Sequence, residues 1–236
     1  MKTVIHKANT RGHASYGWLD TFYTFSFANY YDPGRVHFGV LRVLNDDTIA
    51  GGKGFDRHPH DNMEIVTIPL AGSLEHKDSM GRTEVLVPDE VQVMSAGTGI
   101  FHSEYNHDPA IPLKLLQIWV LPKKRNVIPV YDQKVFDPSE RVNRWQTIVS
   151  PGDDRTLHIN QDTWFSRITL EKGKTTEYPL HHNTNGLYLF VIEGSVKTED
   201  IHLERRDGIG ISGMASLAVM SKDDSELLLI EIPMVI

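Results

Sequence analysis

Four residues between positions 58 and 104 are types that bind metals, at spacings that let them act together: His58, His60, His102 and Glu104. In His58-Pro59-His60 and in His102-Ser103-Glu104 the two donor side chains stand at i and i+2. On a β-strand those positions share a face, because side chains alternate with period two. If the two strands lie side by side, both pairs aim at one point. Three imidazoles and one carboxylate form a mixed N/O set that suits Fe(II), and also Zn, Mn, Ni or Cu, and leaves positions open for water, O2 or substrate. Glu64, four residues after His60, is a second candidate carboxylate.

Such a site needs strands to hold it, and the sequence reads as strands almost throughout. Residues 36–44 lead to a turn signal at Asn45-Asp46-Asp47. Residues 64–70, 73–76, 83–87, 91–94 and 114–121 follow, each bounded by Gly, Pro, Asp or Asn. Short strands at this rhythm predict an all-β protein of sandwich or barrel type. Asp137-Pro138-Ser139-Glu140 is able to open a short helix, with residues 145–149 a strand again. The aromatic stretch 1–35 contains Phe25-Ser26-Phe27, which alternates like a half-buried strand, and is expected to cover one end of a barrel.

A Pro/Lys/Arg-rich segment at 122–129 and the turn Ser150-Pro151-Gly152-Asp153-Asp154 bracket a linker region, and the strand rhythm restarts beyond it. Val66 to Gly72 (VTIPLAG) resembles Tyr188 to Gly194 (YLFVIEG), the trace of an internal duplication. The expected division is 1–136, carrying the metal site, and 137–236, a copy without metal. His181 and His182 stand near the equivalent place, but adjacent strand residues face opposite sides.

The totals narrow the function classes. With 24 basic and 31 acidic residues the net charge is −7, and no basic cluster offers the footprint that direct nucleic-acid binding requires. Cysteine is absent, which excludes disulfides, thiolate metal sites and a cysteine nucleophile. No apolar stretch suits a signal peptide or a membrane span, so the expectation is a cytoplasmic protein without membrane contact, and a monomer. Gly208-Ile-Gly210-Ile-Ser-Gly213 matches a dinucleotide-binding pattern, yet no helix follows it, so it reads as turn and strand. His6, His13, His37, His76, His107, His158 and His202 are scattered and read as solvated.

Gly52, His58, His60 and Glu64 match the first motif of the cupin superfamily, and Gly99, His102 and Asn106 the second, with Gly97 where proline is usual. More narrowly, Thr24-Phe25-Ser26-Phe27-Ala28, Tyr31-Asp32-Pro33, Leu41 to Asp47, His58 to Glu64 and Met94 to Ile100 resemble the pirin family. The match is strongest over about residues 1–136 and thin after about 150. That resemblance implies a bicupin, two antiparallel β-barrel or jelly-roll domains, with one divalent metal in the first. The ion would be Fe(II) foremost, with Zn, Mn, Ni, Co or Cu as alternatives. The implied ligands are His58, His60, His102 and Glu104. Glu64 is then expected to hold a histidine N–H, Asn106 to serve a turn, and Gln117 and Phe55 to line a pocket. The implied activity is a quercetin 2,3-dioxygenase, opening a flavonol-like substrate with O2 and releasing carbon monoxide, with Glu104 as base. The alternative from another class is a metal- or redox-responsive module acting through a protein partner.

Overall fold

Strands make up most of residues 2–235, the part of the chain described by this computed structural model. The all-β expectation holds. The strands form two seven-stranded and two four-stranded sheets. The first large sheet runs in the order Val130–Val135, Glu90–Ser95, Glu64–Ala71, Leu113–Val120, Leu41–Ile49, Leu19–Tyr23, Gly12–Ser15. Its small companion runs Gly54–His60, Ile100–Asn106, Leu74–Asp78, Thr83–Leu86. The second large sheet runs Lys2–His6, Gly208–Ser212, Asn185–Glu193, Ser225–Pro233, Trp164–Leu170, Gln146–Ser150, Leu157–His158. Its companion runs Thr175–Pro179, Ser216–Ser221, Ser195–Thr198, Ile201–Glu204. Pairing between these strands is antiparallel except for the short contact of Gln146–Ser150 with Leu157–His158.

The VTIPLAG and YLFVIEG segments fall in the third strand of each large sheet, so the duplication read in the sequence has a structural counterpart. The repeat has one exchange: the N-terminal strand Lys2–His6 pairs with Gly208–Ser212 and borders the second large sheet. We propose that the two units divide near residue 136, with residues 2–6 crossing over. No helix among the described residues is long and apolar enough to cross a membrane.

Each large sheet is covered on both faces. Val66, Ile68, Leu116 and Ile118 of the first meet Phe165, Phe190, Leu228 and Ile230 of the second in one buried cluster. Two-sided burial explains why Asn185–Glu193 and Ser225–Pro233 read as continuous apolar runs instead of alternating ones. On the inner face of the second barrel, Tyr178, Leu187, Leu189, Leu217, Val219 and Leu229 fill the space. The inner face of the first barrel differs. Its register aligns Gln92, Thr67, Gln117 and Asn45 across four neighbouring strands, giving a polar row inside the barrel.

Some local readings need correction. Asn45-Asp46-Asp47 is no turn: these residues continue the strand Leu41–Ile49, with Asn45 and Asp47 buried. The Phe25-Ser26-Phe27 segment is no strand. The Ser26 hydroxyl donates to the Asp32 carbonyl (2.8 Å) and accepts from the Asp32 N–H (2.9 Å), closing a loop. That loop sends Phe25 into the core between the barrels, while Phe27 packs edge-on against Trp119. Segment 122–129, at one end of the expected linker region, is docked. The Val127 carbonyl accepts from the Thr98 N–H (2.9 Å), and the Asn126 N–H donates to Asn62 Oδ1 (2.7 Å). His6 is not solvated: it is buried, with Nδ1 2.8 Å from the Tyr188 hydroxyl. The short helix does form, as a 3-10 turn Pro138–Arg141 whose start is capped by the Asp137 carboxylate accepting from the Ser139 N–H.

Because the cluster between the sheets belongs to both barrels, Phe190→Ala should cost about 3–5 kcal/mol and weaken both together. Urea unfolding followed by tryptophan fluorescence and by circular dichroism should give coincident transitions, shifted to lower urea. Two separated transitions would show the barrels to be independent.

Candidate metal centre

Strand Gly54–His60 lies antiparallel to Ile100–Asn106, with His102 directly across from His58 and Ile100 across from His60. The side-by-side arrangement that the two spaced pairs require is present. One ligand-capable atom from each of His58, His60 and His102 lies within 4.8 Å of the others, and their ring centroids are 4.5–4.9 Å apart. A register shift between His102 and Glu104 accommodates an extra residue on the Gly54–His60 side. Bulges of this kind re-aim side chains beside functional sites. His58 Nδ1 lies 2.7 Å from the Asp56 carbonyl. A carbonyl only accepts, so Nδ1 donates to it, which leaves Nε2 as the ring atom available to a metal.

Burial first, and His58 next, lower the His60 pKa to about 4. Burial and then the neighbouring His58, His60 and His76 lower His102 to about 2. Both rings are therefore neutral near pH 7. Glu104 is buried; its Oε2 accepts from Gln117 Nε2 (3.0 Å), and the Thr67 hydroxyl donates to Gln117 Oε1 (3.0 Å). Burial pushes the Glu104 carboxyl up to about 7 against the Gln117 hydrogen bond, with Asp47 adding to the rise. Asp47, also buried, is likewise pushed up to about 7, mainly by desolvation. His102 Nε2 and Glu104 Oε1 are buried without a hydrogen-bond partner. Neutral imidazoles and two unpaired buried donor atoms are what a divalent cation satisfies, so the residues present fit a metal ion.

His76, read in the sequence as solvated, is buried and joins the cluster. Its Nδ1 is 3.4 Å from His102 Nδ1, and Asp78 lies against its Nε2 at 3.4 Å. His76, His102 and Glu104 form a second triad of ligand-capable atoms within 4.8 Å, so His102 belongs to both groups. The signal for His76 was absent from its spacing, because it comes from the neighbouring strand Leu74–Asp78, paired with Ile100–Asn106. Glu64 takes neither role considered for it. Its carboxylate faces the other barrel, accepting from Ser95 Oγ (2.8 Å), Asn160 Nδ2 (3.2 Å) and the Asn160 N–H (3.3 Å). Asn106 ties its loop as expected, donating to the Ile49 and Ile111 carbonyls and accepting from the Asp108 N–H.

The glycine-rich match at 208–213 is strand and turn, as read. A side chain on Gly208 would strike the Tyr188 hydroxyl and one on Gly210 the Phe38 ring. In the second barrel His181 Nδ1 pairs with the buried Glu231 (2.7 Å), and Trp164 stacks on its ring. Among the described residues, both groups able to hold a metal lie in the first barrel.

His58 and His60 border a cavity of about 440 Å³, within the range of small-molecule sites. Trp18, Phe27, Phe55 and Trp119 form its aromatic walls, with Glu104 and Gln117 among its polar groups. Gln117 and Phe55 thus line the cavity, where the sequence reading put them.

The Pirin family model matches residues 4–120, and a model described as the quercetinase C-terminal cupin domain matches residues 147–232. A quercetin 2,3-dioxygenase of Escherichia coli (strain K12) is 42% identical over 230 residues, covering 97% of this chain and 98% of that protein. A pirin-like protein of Caulobacter vibrioides is 40% identical over 222 residues, covering 93% and 95%. The crystal structure of the bacterial pirin YhhW from Escherichia coli in complex with nickel(II) has a TM-score of 0.94 at 40% identity, covering 99% of this chain and 100% of that one.

Two predictions follow from this geometry. A metal ion binding at Glu104 must displace the proton held there below pH 7. Calorimetry of metal uptake in buffers of different ionisation enthalpy should show about one more proton released by the native protein than by Glu104→Gln at pH 6. The difference should vanish by about pH 8; equal release at pH 6 would remove Glu104 from the site. Separately, Glu64→Gln should lower stability by about 1–3 kcal/mol through its buried partners and leave metal content unchanged. Loss of metal in that variant would restore Glu64 as a ligand.

Proposed function

Since this chain belongs to the pirin family of metal-binding cupins, we propose that it is a metal-dependent dioxygenase that opens the flavonol ring of quercetin-like substrates with O2 and releases carbon monoxide. The observation that carries this reading is the convergence of three imidazoles and an unpaired buried carboxylate oxygen beside an aromatic-walled cavity. In it, His58, His60, His102 and Glu104 hold the ion, and the ion is Fe(II). The same donors accept Zn, Mn, Ni, Co or Cu. When bound, the ion supplies Lewis acidity toward an enol hydroxyl and the redox chemistry that O2 requires.

The protein's own tasks are few. Glu104 serves as ligand and as base for the proton of the substrate's 3-hydroxyl, and taking that proton requires its Oε1 to lengthen or release its bond to the ion. Gln117, held by Thr67, fixes the other carboxylate oxygen and so the direction from which Glu104 meets the proton. The walls Trp18, Phe27, Phe55 and Trp119 exclude water from the resulting anion and give a flat ring system aromatic surfaces to lie on. Both atoms of O2 enter the opened product, and one ring carbon leaves as carbon monoxide.

Anaerobic reconstitution with each candidate ion, then quercetin and O2 with detection of carbon monoxide, tests the reading. Turnover is expected with a redox-active ion. His102→Ala should lose ion and turnover together, and Glu104→Gln should lower turnover by about 10²–10⁴-fold, the usual worth of a general base. Tight metal binding without carbon monoxide under any ion would overturn it.

A further inference from the structure

Part of the cavity wall carries polar atoms that neither the fold nor the ligand set uses. Asn45 and Asp47 turn inward from strand Leu41–Ile49 and are 4% and 5% exposed. Asn45 Oδ1 has no hydrogen-bond partner, and Asp47 Oδ1 has none in good geometry, the Thr21 hydroxyl opposite it on the next strand being the side chain near enough to favour its charged form. Buried polar atoms left unpaired are costly and rare in folded proteins. In the second barrel the strand at the same place in its sheet, Trp164–Leu170, contributes Ile168 and Leu170 to the apolar interior instead. The barrel architecture therefore does not demand acids and amides here.

Asn45 and Asp47 stand where two cavities meet. The cavity beside the histidines measures about 440 Å³ and its neighbour about 280 Å³, and both residues line both. Trp18, Phe27 and Phe55 are also common to the two, while Tyr16 and Tyr23 line the second alone. The second cavity is thus a mostly aromatic chamber with a carboxyl and an amide in its wall, adjoining the chamber that holds the histidines.

We infer that Asn45 and Asp47, with the aromatic side chains of the second chamber, form a subsite that recognises hydroxyl groups on the substrate's aryl ring remote from the metal. The inference rests on the flavonol reading above and names its selectivity. An aryl ring offers faces to the tryptophan and tyrosine rings, and its hydroxyl groups donate to the unpaired Asn45 and Asp47 oxygens. A ring without hydroxyl groups leaves those buried acceptors unpaired, and sites of that kind discriminate strongly against the analogue lacking the group. The site also resists a purely apolar occupant for the same reason.

The test is equilibrium binding to the metal-reconstituted protein without O2, followed by quenching of tryptophan fluorescence. Two probes are compared: quercetin, and a 3-hydroxyflavone that keeps the chelating keto-enol but has no other hydroxyl group. The native protein is expected to prefer quercetin by roughly tenfold or more. In Asp47→Leu and in Asn45→Leu the ratio should collapse toward one, with metal content monitored in each sample. Asp47→Asn, which keeps a hydrogen-bonding group, should retain most of the preference. An absent preference in the native protein, measurable whatever the variants' stability, would overturn the subsite, as would an unchanged ratio in both leucine variants. If neither probe binds the native protein, the flavonol reading itself fails and the subsite with it.

Discussion

Antiparallel pairing of Gly54–His60 with Ile100–Asn106 sets His102 across from His58, and the other properties of the site depend on that register. A slip of one residue would turn the imidazoles of one strand to the opposite face. The ends of the pairing are fixed by groups with little freedom of their own. Gly97, at φ +50°, makes the turn before Ile100, and a side chain there would collide with the Val127 carbonyl. Asn106 closes the other end through both faces of its amide. Between them, the register shift opposite Ser103 places one extra residue on the Gly54–His60 side.

The register also decides what kind of interior the first barrel has. Its inner face carries Gln92, Thr67, Gln117 and Asn45 in one row, and Asp47 and Thr21 beside them. The second barrel repeats the order of the central strands but packs Tyr178, Leu217, Val219 and their neighbours into its centre. Filling with hydrocarbon stabilises that barrel, and the buried carboxylate at its edge, Glu231, is taken up by Tyr178, His181 and Asn185, so that among the described residues no group able to hold an ion forms there. The first barrel gives up part of that stabilisation, keeping unpaired polar atoms and a cavity. The contrast places stability and chemistry in different halves of one duplicated plan.

Close packing of the two large sheets lets the stable half support the other. The apolar cluster between them draws on both, and the carboxylate of Glu64 is buried at the same junction, held by Ser95 on its own side and Asn160 on the other. A buried carboxylate with several donors is strongly directional, so it also fixes how the barrels meet. Arg206 and Arg11 flanking Asp46 make a second polar tie between them.

The sequence by itself determined the strand content, the duplicated order and the pairing of donors at i and i+2, because alternation along a strand is fixed by local chain geometry. Histidines 58, 60 and 102 were legible for that reason. What only the tertiary structure decided was which strand lies beside which, and therefore what each polar residue faces. Asn45-Asp46-Asp47 has the composition of a turn, yet two neighbouring strands hold it extended and make its alternate residues the wall of a cavity. His76 looked isolated because its neighbour His102 is 26 residues away along the chain. Glu64 sits in the first motif, but strand direction turns it to the opposite face from the histidines, toward Asn160. Local geometry sets the spacing of side chains along a strand, whereas their neighbours depend on hydrogen-bonded register between distant segments, which no local pattern encodes.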